Sequence, residues 1–245
     1  WRGLATQVSE RRAPFDQLAG NKVFVFGNGE EDKEYVTSAG LEFAEIENAD
    51  FILARGMFTM HDSEEVLYRE GLNKCEYWEK EAVRSLQIAS STQTPMLVTN
   101  PDFVRPDGND SPMPGKLGLS YENILASGYC ATKRVFYIGK PHSLVYDEAL
   151  RLLSEANGGV EIDKSRICGV GDSLLHDIEG ARRAGMDSIF ISNGIHAHSL
   201  GMKQGIPGQS VDLEKVEQLR KEILARMPTH VVPHFQWNSK SDIST

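Results

Sequence analysis

The chain has 245 residues, a formal net charge of -9 and 40% hydrophobic residues, which is typical of a soluble globular protein with one or two domains. The acidic excess argues against a nucleic-acid or anionic-membrane partner, because both require a concentrated basic surface. The longest apolar runs, such as residues 23–26, are far shorter than the roughly 20 residues that span a bilayer. The three cysteines lack Cys-x-x-Cys spacing, which favours buried thiols in a reducing, cytoplasmic compartment over disulfides or zinc.

Short apolar strands alternate with helical patterns from the start of the chain. Strands are predicted at residues 22–27, 41–46 and 50–54, with a helix at residues 31–39. The turn Gly27-Asn28-Gly29 lacks the third glycine of a dinucleotide-binding loop, and the acidic residues 30–32 would repel a pyrophosphate, so we interpret it as a polar turn. The alternation predicts an α/β fold.

The middle of the chain contains a long predicted helix and then a strand that ends in polar residues. Asp62-Ser63-Glu64-Glu65 provides a cap and an acidic first turn for a helical region that runs towards Ser90. Residues 95–99 are a buried-type strand, and it ends at Asn100-Pro101-Asp102, which turn chemistry alone can explain. The proline-rich loop at residues 105–115 is a candidate for a substrate entrance.

Two strand ends in the second half of the chain carry charged residues. Residues 134–139 form a predicted buried strand that ends at Lys140, and residues 166–170 form another that leads to Asp172. Asp177 lies about one turn into the helix that follows, and is therefore close to Asp172. Because the carboxyl ends of parallel strands face one edge of a sheet, we expect Lys140 at the edge that receives Asp172.

Each of these charged residues has a functional and a structural interpretation. The two carboxylates can hold Mg²⁺, which usually takes one or two protein carboxylates and keeps water or phosphate in its other positions. Lys140 offers a point charge for a phosphate oxygen. Alternatively, Asp172 or Ser173 merely caps the helix. In that case Asp177 is a solvated acid near the helix start, and Lys140 is a surface lysine.

The last third of the chain continues the alternation of strand and helix. A strand at residues 188–192 precedes His196 and His198, whose spacing suits a metal, but without a third ligand we interpret them as ordinary loop residues. A helix at residues 211–227 precedes a proline-interrupted edge strand at residues 228–233. The polar region at residues 127–133 marks the best boundary, so we predict domains at residues 1–130 and 131–245.

The order of several short motifs resembles a known family. Gly139-Lys140-Pro141, and then Gly169-Val170-Gly171-Asp172 with Asp177, resemble the third and fourth motifs of the haloacid-dehalogenase-like (HAD) hydrolases. Thr99-Asn100-Pro101-Asp102 is similar to a motif of subclass IIA, a group of phosphatases. The resemblance covers residues 22–237. It implies a Rossmann-like parallel-sheet core, present in part at residues 131–245, with an inserted α/β cap domain of the C2 type at residues 1–130.

The resemblance also implies an activity and a set of roles. Members of this group are Mg²⁺-dependent phosphatases that act on small phosphomonoesters through an aspartyl-phosphate. By this resemblance Lys140 is catalytic and binds the substrate phosphate, while Asp172 and Asp177 bind Mg²⁺. Asn100 and Asp102 would contact the substrate from the cap.

One departure from the family affects the predicted activity. The family's first motif is an Asp-x-Asp pair that supplies the nucleophile, and no such pair occurs in the 245 residues. We therefore expect the chain to begin after the nucleophile segment, which leaves a second hypothesis open. In that hypothesis the chain is a non-catalytic anion-binding or interaction protein on a truncated phosphatase scaffold. Missing core strands would expose apolar surface, which predicts aggregation or a homodimer unless something covers that surface.

Overall fold

A computed structural model describes residues 15–18, 20–29, 31–62, 65–69, 72–103, 113–130, 132–206 and 208–235. The described residues form two compact units that divide after Gly139, and each unit contains its own largely parallel sheet. The predicted α/β fold is therefore confirmed. None of the described helices is long and apolar enough to cross a bilayer.

The first unit is built on a seven-stranded sheet. Its strands are β1 (Lys22–Gly27), β2 (Glu42–Phe43), β3 (Phe51–Ala54), β4 (Thr59–His61), β5 (Val66–Tyr68), β6 (Met96–Val98) and β7 (Val135–Tyr137). The order is β5-β4-β1-β3-β6-β7, and β2 also pairs with β1. The strands β2, β3, β6 and β7 run parallel to β1, whereas β4 is antiparallel to β1 and β5 is antiparallel to β4.

The described part of this unit contains the α-helices α1 (Asp32–Thr37), α2 (Leu72–Thr92) and α3 (Pro114–Ser127). Apolar residues at helical spacing on α2, such as Trp78, Ala82 and Leu86, pack with Phe24 and Phe26 of β1 in one buried cluster. Every residue of β1 after its first is buried. This matches its continuous apolar sequence, which is typical of a strand that is covered on both faces.

The predicted helix start at Asp62 is wrong. The chain forms the β4–β5 hairpin there, and α2 begins only at Leu72. Asp62 Oδ1 accepts a hydrogen bond from the Glu65 backbone amide at 2.7 Å, so its side chain closes a turn. The same short-range side-chain bond caps helices, which is why the sequence pattern suggested a helix start.

The strand that leads to Lys140 also differs from its prediction. We expected it in the sheet that carries Asp172, but β7 pairs with β6 in the first unit, with Leu97 opposite Phe136. The two units accordingly divide after Gly139, whereas the predicted boundary was 130/131. The apolar pattern of residues 134–139 identifies a buried strand but does not specify its neighbour, which depends on pairing with β6.

The second unit has a three-stranded parallel sheet in the order β10-β9-β8. Its elements are α4 (Ser143–Ala156), β8 (Cys168–Gly171), α5 (Glu179–Arg183), β9 (Asp187–Ile191), α6 (Leu213–Glu222) and β10 (His230–Val232). The predicted strand near residues 228–233 is confirmed as β10. Asp172 directly follows the carboxyl end of β8, and Asn193 lies two residues beyond the end of β9, so the loops after both strands carry polar residues at this edge of the sheet.

Candidate active site

Asp177 is the buried centre of the site in the second unit. Its side chain is only 10% exposed. Its Oδ1 atom lies 2.5 Å from Nζ of Lys140, and its Oδ2 atom accepts the backbone amide of Ser173 at 3.0 Å. A Cβ atom on Gly171 would lie 2.1 Å from Cγ of Asp177, so the strand end must be glycine for the carboxylate to fit. Asp177 is therefore a paired, buried carboxylate and not a solvated acid.

A π-helical turn, Leu174–Ile178, connects the end of β8 to α5 and carries this carboxylate. Ser173 is its cap: its hydroxyl oxygen accepts the His176 amide at 3.2 Å and lies 2.9 Å from Nδ1 of the His176 ring. The capping role that sequence analysis offered to Asp172 or Ser173 thus belongs to Ser173, which leaves Asp172 available for another role.

Tyr146 of α4 supports the same turn from its other side. Its hydroxyl donates to the backbone carbonyls of His176 and Asp177 at 3.2 and 3.4 Å. Burial and the nearby Asp177 carboxylate raise the pKa of Tyr146 to about 12, so the hydroxyl stays a donor near neutral pH. A Cβ atom on Gly180 would lie 2.1 Å from this hydroxyl, which explains the glycine at that helical position.

Asp172 is partly exposed and is held by the loop after β9. Its Oδ2 atom accepts the Ile195 backbone amide at 3.1 Å. A Cβ atom on Gly194 would lie 2.2 Å from the same oxygen, so this close approach requires glycine. Among the described residues, no hydrogen bond or ion pair engages the other oxygen, Oδ1.

His196, in the same loop, contacts the π-helical turn. Its Nε2 atom accepts the Leu174 backbone amide at 3.3 Å. Burial lowers the pKa of His196, the Asp172 carboxylate raises it and His176 lowers it further, with a net shift below the ordinary value. The lowered pKa keeps the ring neutral and Nε2 available as an acceptor.

The carboxylates of Asp172 and Asp177 fit a Mg²⁺ ion that is held by few protein ligands. The described part of the chain contains no group of three or more His, Cys, Asp or Glu side chains that could hold a metal. Asp172 nevertheless has one carboxylate oxygen that no described residue engages. Mg²⁺ is commonly bound through one or two carboxylates with its remaining positions filled by water and phosphate. Both oxygens of Asp177 already have partners, namely Lys140 and an amide.

The two predicted substrate residues of the cap lie in the first unit. Asn100 and Asp102 follow the end of β6, and Oδ1 of Asn100 accepts the Asp102 amide at 3.2 Å. This is the turn chemistry that sequence analysis offered as the alternative. Their role towards a substrate stays a prediction.

The sequence pattern missed the supporting residues of the site. Sequence analysis did not single out Tyr146, and it interpreted His196 as an ordinary loop residue. Their partners are backbone groups of residues 174–177, and such contacts leave no spacing signal in the sequence. The glycines at positions 180 and 194 were the available signal, because each faces a functional side chain too closely to allow a Cβ atom.

Comparisons with known families and proteins show what this chain is similar to. The sequence model of a family described as HAD-hydrolase-like matches residues 137–237. The 5'-nucleotidase YutF of Bacillus subtilis is 27% identical over 173 residues, covering 71% of this chain and 55% of the relative. An acid sugar phosphatase of Staphylococcus haemolyticus is 26% identical over 180 residues, covering 74% of this chain and 57% of the relative. The chain thus spans little more than half the length of these curated relatives.

Solved structures give the same fold. A haloacid-dehalogenase-like hydrolase from Brucella suis superposes with a TM-score of 0.58 at 25% identity, covering 94% of this chain and 69% of that chain. The p-nitrophenyl phosphatase from Archaeoglobus fulgidus gives a TM-score of 0.56 at 18% identity, with the same coverage of both chains. The second likeness is evidence for the fold alone.

Proposed function

We propose that the chain belongs to the haloacid-dehalogenase-like hydrolase superfamily and is part of a phosphatase that hydrolyses small phosphomonoesters. Relatives named as a 5'-nucleotidase and an acid sugar phosphatase support this reaction class. We assign the protein to subclass IIA, with the first unit as its C2-type cap and the second unit as the carboxyl-terminal part of its core.

The observation that carries the proposal is the pairing of Lys140 with Asp177 beside Asp172. Phosphoryl transfer depends mainly on positioning and on neutralising charge on the phosphate oxygens. The Lys140 ammonium group, whose side chain is half exposed, can bind a phosphate oxygen while Asp177 fixes its position. Lys140 is thus the catalytic cation of the proposal, and Asp177 orients it.

Asp172 is the proposed protein ligand of Mg²⁺, with Asp177 as the second carboxylate near it. When bound, Mg²⁺ supplies Lewis-acid stabilisation of negative charge on the phosphate. The Ile195 amide leaves one oxygen of Asp172 for this purpose. The Ser173 amide and Lys140 hold Asp177 in a single orientation.

The nucleophile and the substrate contacts complete the proposal. Since no Asp-x-Asp pair occurs in the 245 residues, the attacking carboxylate is proposed to come from protein sequence outside this chain. Asn100 and Asp102 are proposed substrate contacts of the cap. A cytoplasmic location is also part of the proposal; the expected burial of the thiols is wrong for Cys168, which is exposed, and Cys130 is half-buried. The hypothesis of a non-catalytic anion-binding protein has weaker support, because the named relatives are hydrolases.

The test is phosphate release from p-nitrophenyl phosphate by the full natural protein that contains this chain, with and without Mg²⁺. We expect Asp172→Asn and Lys140→Met each to lower kcat/KM at least about 100-fold, since each removes a charge that faces the reacting phosphate. Asp147→Asn and Lys116→Met are matched controls at exposed positions, and both should retain wild-type turnover.

Two results would contradict the proposal. The first is a wild-type protein that releases no phosphate from p-nitrophenyl phosphate, a nucleotide monophosphate or a sugar phosphate in the presence of Mg²⁺. The second is an Asp172→Asn variant with normal turnover, which would remove Asp172 from the site.

A further inference from the structure

The turn that carries the proposed site is attached to the loop after β9 at two points. The Ile195 amide donates to Asp172 Oδ2 at 3.1 Å, and the Leu174 amide donates to Nε2 of His196 at 3.3 Å. Residues 195 and 196 are consecutive, so one short segment contacts both the Asp172 carboxylate and the backbone amide of Leu174, two residues after Asp172. The close approach of Gly194 to Asp172 keeps this segment against the turn.

The Leu174 amide needs a partner that the turn itself cannot provide. It lies at the first residue of the π-helical turn, where backbone amides have no acceptor within the helix. The Leu174 side chain is completely buried, so leaving this amide without an acceptor would be costly. His196 is the residue that supplies the acceptor.

The surroundings of His196 hold its ring in one orientation. The ring lies 6.0 Å from the completely buried ring of Phe190, centroid to centroid. Because Nε2 accepts a hydrogen bond, the proton of the neutral ring is on Nδ1. With Nε2 bonded to an amide and the proton on Nδ1, both ring nitrogens of the neutral ring are engaged.

We propose that His196 is a positioning residue of the phosphatase site: by accepting the Leu174 amide it fixes the turn between Asp172 and Asp177, and so sets the position of the Mg²⁺ ligand Asp172. The inference rests on the proposed function for its consequence in catalysis. Its structural part, the hydrogen bond between His196 and Leu174, does not depend on that function. His196 touches no reacting atom and acts only through its neighbours.

The first measurement is amide hydrogen exchange of Leu174 by NMR in the 245-residue chain. Gln reaches as far as His Nε2, with four bonds from Cα to its carbonyl oxygen, so His196→Gln keeps an acceptor, whereas His196→Leu keeps apolar bulk without one. We expect exchange at Leu174 to rise about tenfold in His196→Leu and to stay near the wild-type rate in His196→Gln. His198→Leu is the matched control, because His198 is exposed and lies two residues away.

The second measurement is steady-state kinetics of the full natural protein over a range of Mg²⁺ concentrations. We expect His196→Leu to require about tenfold more Mg²⁺ for half-maximal activity and to lower kcat more than it changes KM for p-nitrophenyl phosphate. His196→Gln should restore both values. A residue that only supported folding would lower the yield of active protein and leave the Mg²⁺ requirement unchanged.

The outcomes separate this inference from the proposed function. Wild-type exchange and Mg²⁺ dependence in His196→Leu would overturn the inference, as would a loss in His196→Leu that His196→Gln fails to restore. If His196→Leu does not fold, His196→Asn, whose acceptor is one bond shorter, replaces it, and protection of Leu174 equal to wild type would again overturn the inference. A wild-type protein without phosphatase activity would refute the proposed function, while the exchange rates would still decide the role of His196 in the turn.

Discussion

The Asp32 carboxylate, at the start of α1, is completely buried in the first unit and carries a dense hydrogen-bond network. Its partners are the amides of Asn28 and Gly29, the Thr59 hydroxyl, the His61 ring and the Arg55 guanidinium group. Burial by itself raises the pKa of Asp32, but the hydrogen bonds from His61, the two amides and Thr59 outweigh it, so the pKa lies well below its usual range. The charge is therefore fully compensated inside the unit.

Replacement of Asp32 should destabilise the first unit strongly. Asp32→Asn removes the negative charge and leaves the Arg55 guanidinium group, whose side chain is 12% exposed, without its buried partner. We expect the free energy of unfolding to fall by about 3–5 kcal/mol, the range for breaking a buried ion pair on one side. Urea denaturation at pH 7 measures it, and Asp16→Asn, at an exposed position of the same unit, should change it by less than about 0.5 kcal/mol.

The same carboxylate gives a pH dependence with a defined sign. Because its folded-state pKa is lowered, its stabilisation is complete above the unfolded-state pKa of about 3.9 and disappears as the pH falls towards the folded value. Wild-type protein should therefore lose stability between about pH 5 and pH 2, and Asp32→Asn should lose less over the same range. Parallel curves for the two proteins would show that Asp32 is not the group responsible.

At the scale of elements, one buried hydroxyl connects a helix of the first unit to the start of a strand. Tyr121 of α3 is completely buried, and its hydroxyl donates to the backbone carbonyl of Thr94 at 2.6 Å, just before β6. Burial raises the pKa of Tyr121, so the hydroxyl remains protonated and keeps donating. This bond supplies the Thr94 carbonyl with a partner at a position where the chain changes direction.

Tyr121→Phe should lower the free energy of unfolding by about 1–3 kcal/mol, because it leaves the Thr94 carbonyl buried without its donor. Tyr129→Phe is the matched control, since the Tyr129 side chain is 96% exposed and its hydroxyl should contribute almost nothing. Chemical denaturation of both variants measures the difference. Equal effects of the two substitutions would mean that the hydroxyl bond does not stabilise this junction.

The sequence predicted where individual strands lie better than it predicted which strands pair with each other. The strand at residues 22–27 was predicted correctly, because an apolar run bounded by glycine identifies a buried strand by itself. A strand before Asp172 is confirmed as β8, but its predicted burial is wrong, because β8 lies at the edge of its described sheet and its residues are exposed or half-buried. The hairpin at residues 59–68 was missed, because Asp62 caps a turn with the same bond that caps a helix. Sheet membership of β7 was wrong, since pairing depends on contacts between residues distant in the chain.

The candidate site was predicted in part for a related physical reason. The sequence placed Lys140 at the sheet edge that receives Asp172. In the structure Lys140 contacts Asp177, although the strand before Lys140 belongs to a different sheet from β8. Charged residues that directly follow an apolar strand are easy to recognise in a sequence, although the sequence alone leaves a structural interpretation of each of them open. Contacts to backbone amides, such as those of Ile195 and His196, depend on the loop conformation, which the residue types alone do not determine.

At the scale of the whole molecule, the second unit leaves a strand edge open. Among the described strands, β8 pairs with β9 alone, so its other edge carries backbone groups without a strand partner. The Val170 side chain on β8 is 42% exposed, so this edge presents apolar surface. An exposed apolar edge strand is a site for association between chains.

We therefore expect the 245-residue chain to self-associate in a concentration-dependent manner, measured by sedimentation velocity. Val170→Lys should reduce the association at least about tenfold, because a charge on an edge strand opposes pairing with another strand. Val160→Lys is the matched control: Val160 is 63% exposed but lies outside any strand, so the same added charge there should leave association unchanged. A wild-type chain that stays monomeric at high concentration, or equal effects of the two lysines, would show that the β8 edge does not mediate the contact.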